Sequence, residues 1–372
     1  MDPDTLKNSW ALVAKSGDEV PLFFYSHLFL SHPELREMFP VSMAAQRDKL
    51  VAALGAVVSN ADQLDQVTPV LAQLGRDHRR FAVVAEHYSA VGASLLATLQ
   101  HFLGPAWTQQ LAAEWAAAYG LVATVMVQAA EESAETSPAW WPAEVTGVER
   151  RTLDVTVAHI RPAEPLPYRA GQSVAVEIPQ RPRRWRYFSP ANAPRSDGSI
   201  ELHIQLVPGG QVSSAAVRSL REGDTIRVGA PVGEALALPA DGRDLLMVAG
   251  GTGLAPLRAM LEQLDHGWGG TTPNVHLFHG ARMPWNLYEH TQLTRLTRRP
   301  WFSYTPAVSD DGSYPGQRGL VGTVAAAYGT WADRVALVCG SPAMVAHTVS
   351  ELTAAGLPAA NIRTEQFVGG PQ

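Results

Sequence analysis

Apolar residues recur every three or four positions through residues 1–132, then at every second position through much of 143–235. The first regime predicts an all-α domain. Asp2 and Pro3 read as an N-cap and a first helical residue. Leu22, Tyr25, Leu28 and Phe29 mark one helical stripe, and Pro33 opens a short helix in "HPELREMF". Residues 43–59 form another helix. Thr68-Pro69 starts a helix in which Leu71, Leu74 and His78 share a face. Two long Ala/Leu-rich helices follow, over 85–102 and 106–132. Ser, Thr and Pro in "ESAETSPAWWPAEV" end the helical pattern and put a boundary near 138–142.

Beyond it, "TLDVTVAHI", "QSVAVEI" and "IELHIQLV" alternate as strands do, separated by Pro, Gly and Asp, with one short helix at 211–221. Short strands at this spacing predict a small antiparallel β-barrel. From residue 244 the chain changes again. "DLLMVAGG", "NVHLFHGA", "WFSYTPAV", "RVALVCGS" and "IRTEQF" are apolar strands with helical segments between most of them, the pattern of a parallel α/β sheet covered on both faces. The predicted organisation is multidomain: 1–137 all-α, 141–237 antiparallel β-barrel, 243–372 α/β with a parallel sheet.

Composition narrows the functions. The chain of 372 residues is 46% hydrophobic and 17% charged, enough to build large cores. A net charge of −6 gives no footprint for nucleic acid, and the basic run "RPRRWR" is local. The single cysteine, Cys339, permits no intrachain disulfide. The start "MDPDTLKNSWALV" is not that of a signal peptide, and no continuous apolar run has the length of a membrane span. The expectation is a cytoplasmic protein without integral membrane association, a monomer or weak dimer.

Three stretches carry chemistry. "VAGGTGLAPLRAML" runs a strand through Gly250, Gly251, Thr252 and Gly253 into a helix, where backbone can approach a pyrophosphate. Its spacing is not G-x-G-x-x-G, and any strand-to-helix turn can use glycine. "RYFSPAN" sets Arg186 three residues before Ser189, with Tyr187 and Phe188 between: a cation for phosphate beside a ring for a flat cofactor. "PGGQVSSAAV" puts Gly210, Gln211, Val212 and Ser213 at a helix start, a second anion cradle. His78 alone would ordinarily be a core residue or a helix-end cation.

Taken in order, Arg186–Ser189, Gly210–Ser213, "GGTGLAPL" and "CGSPAM" resemble the ferredoxin reductase-type pair of FAD-binding and NAD(P)-binding domains. "FFYSHLFLSHPELREMFP", Gln46, Leu50, His78 and Tyr88 resemble the globin domain of the flavohaemoglobins, which is fused ahead of such a pair. The resemblance implies heme b, FAD and NAD(P)H as cofactors, with His78 as the iron ligand. It implies that Glu132, held by Tyr88, accepts from the other ring nitrogen of His78, with Glu131 adjoining. Tyr25 and Gln46 would face the bound gas, with Leu50 as an apolar wall and Phe39 against the haem. His27, His32, His87 and His101 read as surface or cap residues.

On the reductase side the resemblance gives Arg186 and Ser189 contact with FAD phosphate and ribityl groups, and lays Phe188 on the isoalloxazine. Gln211, Val212 and Ser213 would hold the pyrophosphate. Cys339 and Gly340 would lie near the nicotinamide, and Glu365 and Phe367 beside the flavin. The chain departs from the family at Phe188, where tyrosine is usual, at Asp77, where lysine is frequent, and in a short segment between Phe39 and Gln46. The implied activity is nitric oxide dioxygenation: electrons pass from NAD(P)H through FAD to haem, whose ferrous–oxy form converts NO and O2 to nitrate. An NAD(P)H-driven reductase of another oxidant or a peroxide, and an oxygen-binding or sensing globin, are the alternatives.

Overall fold

The computed structural model describes residues 2–267 and 272–366, without the side chains of residues 64–66. The chain divides into two compact units, Met1–Trp140 and Trp141–Gly370, so both predicted β-containing domains lie in the second.

The first unit is helical: α1 (Pro3–Val13), α2 (Glu19–Ser31), α3 (Ala44–Ser59), α4 (Leu64–His78), α5 (Ala85–Leu103) and α6 (Gln109–Thr136), with a 3-10 segment at Pro33–Met38. Asp2 caps α1 by accepting from the Asp4 amide, with Pro3 at the first helical position. The prediction that α4 starts at Thr68-Pro69 is corrected: it starts at Leu64 and carries Pro69 inside. Pro69 therefore lies in the second turn, where it removes one backbone hydrogen bond of the helix. The core joins Leu6, Trp10, Phe24, Tyr25, Leu28, Leu95, Leu99 and Trp115. Helix α6 is the one described helix long and apolar enough to cross a membrane by length and composition. It is packed on its neighbours: a Cβ on Gly75 of α4 would meet the Met126 carbonyl at 2.2 Å, and one on Gly92 of α5 would meet the Tyr119 ring at 2.6 Å.

The second unit begins with β1 (Trp141–Arg150), β2 (Val155–Pro162), β3 (Ser173–Glu177), β4 (Trp185–Phe188), β5 (Ile200–Gln205), α7 (Gln211–Ser219) and β6 (Thr225–Val232). These strands pair antiparallel in the order β4-β3-β6-β1-β2-β5. A bridge between Pro190 and Leu202 brings the chain after β4 back to β5, closing the predicted barrel. There follow β7 (Leu245–Gly250), α8 (Leu254–His266), β8 (Val275–Ala281), α9 (His290–Leu296), β9 (Phe302–Val308), β10 (Gln317–Arg318), α10 (Val321–Tyr328), β11 (Val335–Gly340), α11 (Pro342–Ala354) and β12 (Ile362–Gln366). They build a parallel sheet in the order β10-β9-β8-β7-β11-β12, with buried residues on both faces. Order reverses between β7 and β11, so the glycine turn after β7 sits at the switch point where open α/β sheets bind ligands.

Barrel and parallel sheet meet through polar contacts. Arg195 forks onto Glu262 of α8 at 2.8 and 3.0 Å, and Arg258 of α8 reaches Glu201 of β5 at 2.8 Å. His203 of β5 and Tyr288 bond at 2.9 Å in the buried seam.

Candidate functional site

His78 ends α4, where its Nδ1–H donates to the Leu74 carbonyl at 2.7 Å, one helical turn back. That bond leaves Nε2 with its lone pair free. Burial pushes the imidazole pKa down, against the opposing pull of the backbone bond and Asp77. A neutral ring with one nitrogen tethered and the other free is the donor that haem iron requires. Leu71, on the same face, is buried.

Tyr25 sits in an aromatic cluster, 5.7 Å from Phe29 and 5.6 Å from Phe39 between ring centroids. Burial raises its phenol pKa to about 12, so it stays protonated and able to donate. That donor reaches the backbone carbonyl of Gln46 at 3.4 Å, a long bond easily exchanged for a better acceptor. The fold thus brings Tyr25, Phe39 and Gln46 together. Leu50, one turn beyond Gln46 on α3, packs against the same core. Of the other histidines, His87 caps α5 by accepting from the Val84 amide, and His101 stacks on Phe23 at 4.2 Å.

One expectation fails. Glu132 does not meet His78: it is exposed and accepts from Gln128 Nε2 at 2.9 Å. Glu131 is exposed as well. The helical period explains this, because α6 buries Met126 and Ala129 and the period carries 131 and 132 to the outer face. Tyr88 therefore holds no carboxylate. Its Oη is buried with no partner among the described residues, while its carbonyl accepts from Tyr119 Oη at 2.6 Å.

In the barrel, β4 lies along β3 with Arg186 opposite Val176 and Phe188 opposite Val174. Arg186 Nη1 donates to the Trp185 carbonyl at 2.9 Å, and no carboxylate pairs with the guanidinium among the described residues. Burial and neighbouring Arg184 lower its pKa, as for a cation lacking its anion. Phe188 is half-buried against the barrel core, whereas Tyr187 points outward with 46% exposure. Ser189 is buried and bonds Ser173 at 2.9 Å. Helix α7 starts at Gln211 with Gly210 as N-cap. Val212 is buried in the barrel core and Ser213 Oγ accepts from the Val207 amide at 3.2 Å. With those side chains committed, what this turn offers an anion is its backbone N–H groups.

The glycines after β7 serve two needs. Gly251 has φ +54°, open to glycine at little cost. Gly253 has ordinary helical φ, but a Cβ there would lie 2.2 Å from the Cys339 carbonyl, so its need is space. Gly250 and Gly340 both pack beneath Met344. Thr252, between Gly251 and Gly253 in the turn, is half-buried. Cys339 is buried, and burial with Glu365 nearby raises its thiol pKa, so it is no thiolate.

Glu365 of β12 lies opposite Cys339. Its Oε1 accepts from Ser173 at 2.7 Å, linking it to Ser189, while Oε2 is buried without a partner among the described residues and burial raises its pKa. A hydroxyl-held acid with one orphan oxygen beside β4 suits a flavin edge. Phe367 lies outside the described residues. Sequence reasoning missed Ser173, which bridges Ser189 and Glu365, and His279, whose Nε2 meets the Gly251 carbonyl at 3.2 Å. No local pattern marks Ser173. His279 had a signal, a histidine closing the apolar strand "NVHLFHG".

Three family descriptions match in succession: globin over residues 22–126, oxidoreductase FAD-binding domain over 144–236 and oxidoreductase NAD-binding domain over 247–350. A flavohemoprotein of Bordetella parapertussis is 30% identical over 281 residues, spanning 70% of this chain and 69% of that protein. A flavohemoglobin structure from Malassezia yamatoensis, solved with bound FAD and heme, has a TM-score of 0.77 at 19% identity and covers 98% of both chains. The flavohem-like FAD/NAD-binding domain of a Vibrio cholerae nitric oxide dioxygenase has a TM-score of 0.54 at 18% identity, over 61% of this chain and 98% of its own. These matches run in the order of the helical unit, the barrel and the parallel sheet, and with them the chain is an NAD(P)H-dependent flavohaem oxidoreductase that belongs to the flavohaemoglobin family.

Proposed function

We propose that the chain is a nitric oxide dioxygenase, turning nitric oxide and oxygen into nitrate at the expense of NAD(P)H. The observation that carries this is Tyr25: a buried phenol, a donor at every physiological pH, whose acceptor is a carbonyl at 3.4 Å. A helical pocket that only shuttled electrons would have no use for such a donor. The name of the matching Vibrio cholerae protein points the same way.

The residues divide the work. His78 offers Nε2 to haem iron and keeps its orientation through Leu74. Tyr25 donates to the gas, Gln46 adjoins it, and Leu50 and Phe39 keep water out. Arg186 and the amides of Gln211, Val212 and Ser213 neutralise FAD phosphates, Phe188 covers the ring, and Ser189 with Ser173 holds Glu365 at its edge. The turn Gly250–Gly253, with Cys339 and Gly340, admits the nicotinamide cofactor. When bound, the cofactors supply the redox chemistry: a hydride carrier, a flavin that splits its electron pair, and a one-electron haem. Each NAD(P)H gives two electrons, one for each of two nitrates made from two nitric oxide and two oxygen molecules, and releases one proton. We place the domain limits at 1–137, 141–237 and 243–372, and the protein in the cytoplasm as a monomer or weak dimer.

Nitric oxide consumption and nitrate yield, measured with NADH under oxygen, test the reading. His78→Ala should abolish both and lose the haem absorption while FAD stays bound. NADH oxidation by the wild type without nitric oxide consumption would refute it.

A further inference from the structure

The proximal side of the haem site differs from what the family resemblance implies. Gly75 backs onto Met126, and Arg79 donates to Ser133 Oγ at 2.7 Å and to the Ser137 carbonyl at 2.6 Å. Gly75, His78 and Arg79 lie on one face of the α4 turn, and Met126, Ala129, Ala130, Ser133 and Ser137 on one face of α6. On that face of α6, the residues between the two contacts are Ala129 and Ala130. Neither can accept a proton or a hydrogen bond through its side chain. Glu132, two residues on, is turned outward and bonded to Gln128. Tyr88, the residue meant to steady a carboxylate, keeps a buried Oη with nothing to bond among the described residues. His78 Nδ1–H meets the Leu74 carbonyl instead.

We infer that the haem ligand of this chain is anchored by the main chain alone, with the Leu74 carbonyl as its positioning group and Ala130 standing where a carboxylate partner would have to be. This rests on His78 as the haem ligand, not on nitric oxide as the substrate. A carbonyl acceptor draws less on the Nδ1 proton than a carboxylate does, so the ring stays less basic and gives less electron density to the metal. Two consequences follow. The ferrous state is favoured, which eases delivery of electrons from the flavin. Cleavage of an O–O bond, which depends on electron donation from the proximal ligand, is weak, so hydrogen peroxide is a poor substrate.

The test uses the haem-loaded full chain, and reads the iron–histidine stretching frequency of the ferrous protein by resonance Raman and the haem midpoint potential. Ala130→Glu should raise the frequency and lower the potential, and speed peroxide-driven oxidation of a phenol several-fold. Ala130→Gln, of similar volume and no charge, should leave all three near wild type. Glu132→Gln and Tyr88→Phe should leave the frequency unchanged. Glu132 is exposed, so its variant answers even where the Ala130 variants fail to fold. A shift of the iron–histidine frequency in Glu132→Gln or Tyr88→Phe would overturn the inference, as would Ala130→Glu indistinguishable from Ala130→Gln. A wild type with these spectral results but no nitric oxide turnover would sink the proposed function and leave this inference in place.

Discussion

Replacing Gly253 by alanine tests the nicotinamide end of the site with a single methyl group. The backbone there has φ −58°, so alanine meets no conformational strain. The obstacle is the carbonyl of Cys339: the new Cβ would stand 2.2 Å from its oxygen, 2.6 Å from its carbon and 2.8 Å from Gly340 Cα. All three are backbone atoms of β11, which is buried along its whole length and cannot yield by rotating a side chain. Restoring normal contact requires the turn after β7 to move away from β11 by about 1 Å, and overpacking of this kind costs about 1–3 kcal/mol. The larger effect is functional. Misplacing a binding turn by about 1 Å lowers kcat/KM roughly 100-fold. Stopped-flow reduction of the flavin by NADH under anaerobic conditions reads this directly. FAD content and the haem spectrum, which depend on other elements, should stay at wild-type levels. Flavin reduction at the wild-type rate with unchanged thermal stability would show that the turn does not hold the cofactor.

Three further changes probe the remaining parts. Arg186→Ala removes a charge-assisted donor and should weaken FAD binding by about 1.5–3 kcal/mol, roughly 10- to 100-fold, with haem content unchanged; equal FAD retention by wild type and variant would remove Arg186 from the site. Tyr25→Phe keeps the ring and deletes the donor, so oxygen should leave about 10- to 100-fold faster, while NADH-driven reduction of an external dye stays constant; an unaltered oxygen off-rate would assign the phenol to Gln46 alone. The fully buried His279 has its pKa pushed down to about 4 by desolvation, from an ordinary 6.5. Between these values the unfolded chain binds a proton that the folded chain refuses, so stability falls as pH drops through this window, by about 2 kcal/mol at pH 5 from this residue. Thermal unfolding followed at pH 7 and pH 5 should show the loss, and His279→Asn should reduce it; a flat profile in the wild type would contradict the burial argument.

Much of this architecture is legible in the chain because hydrophobic period changes where the fold changes. The shift from a helical period to alternation coincides with Trp141, where β1 begins, and the apolar strands after residue 244 map onto a parallel sheet whose central strands β7 and β11 are buried. The glycine turn and the start of α7 are local features, written in consecutive residues. The closure of the barrel is not. It depends on Pro190 meeting Leu202 across a loop, a pairing with no period. The start of α4 escapes the local signal for a different reason: proline is favoured in the first turn, so Thr68-Pro69 reads as a start, whereas packing extends the helix back to Leu64 and leaves Pro69 in the second turn.

Site residues separate along the same line. His78, Tyr25, Arg186 and Gly253 can be picked out because each is an unusual residue in its own local pattern: a histidine on a leucine face, a phenol in an apolar stripe, a cation on a strand, a glycine at a helix start. Ser173 and Glu365 are 192 positions apart and acquire meaning only through their 2.7 Å bond. Glu132 shows the opposite hazard. Two adjacent glutamates near the end of an apolar helix invite assignment to the nearby histidine, yet one or two residues of register rotate a helical side chain by roughly 100–200°. Which face a residue takes is decided by what the helix packs on, here Gly75 against Met126 and Arg79 against Ser133. With those contacts, Ala129 and Ala130 share the face that packs on α4, and the acids turn toward water. The strength of proximal donation, and with it the balance between holding a gas and cleaving a peroxide, therefore rests on helix register.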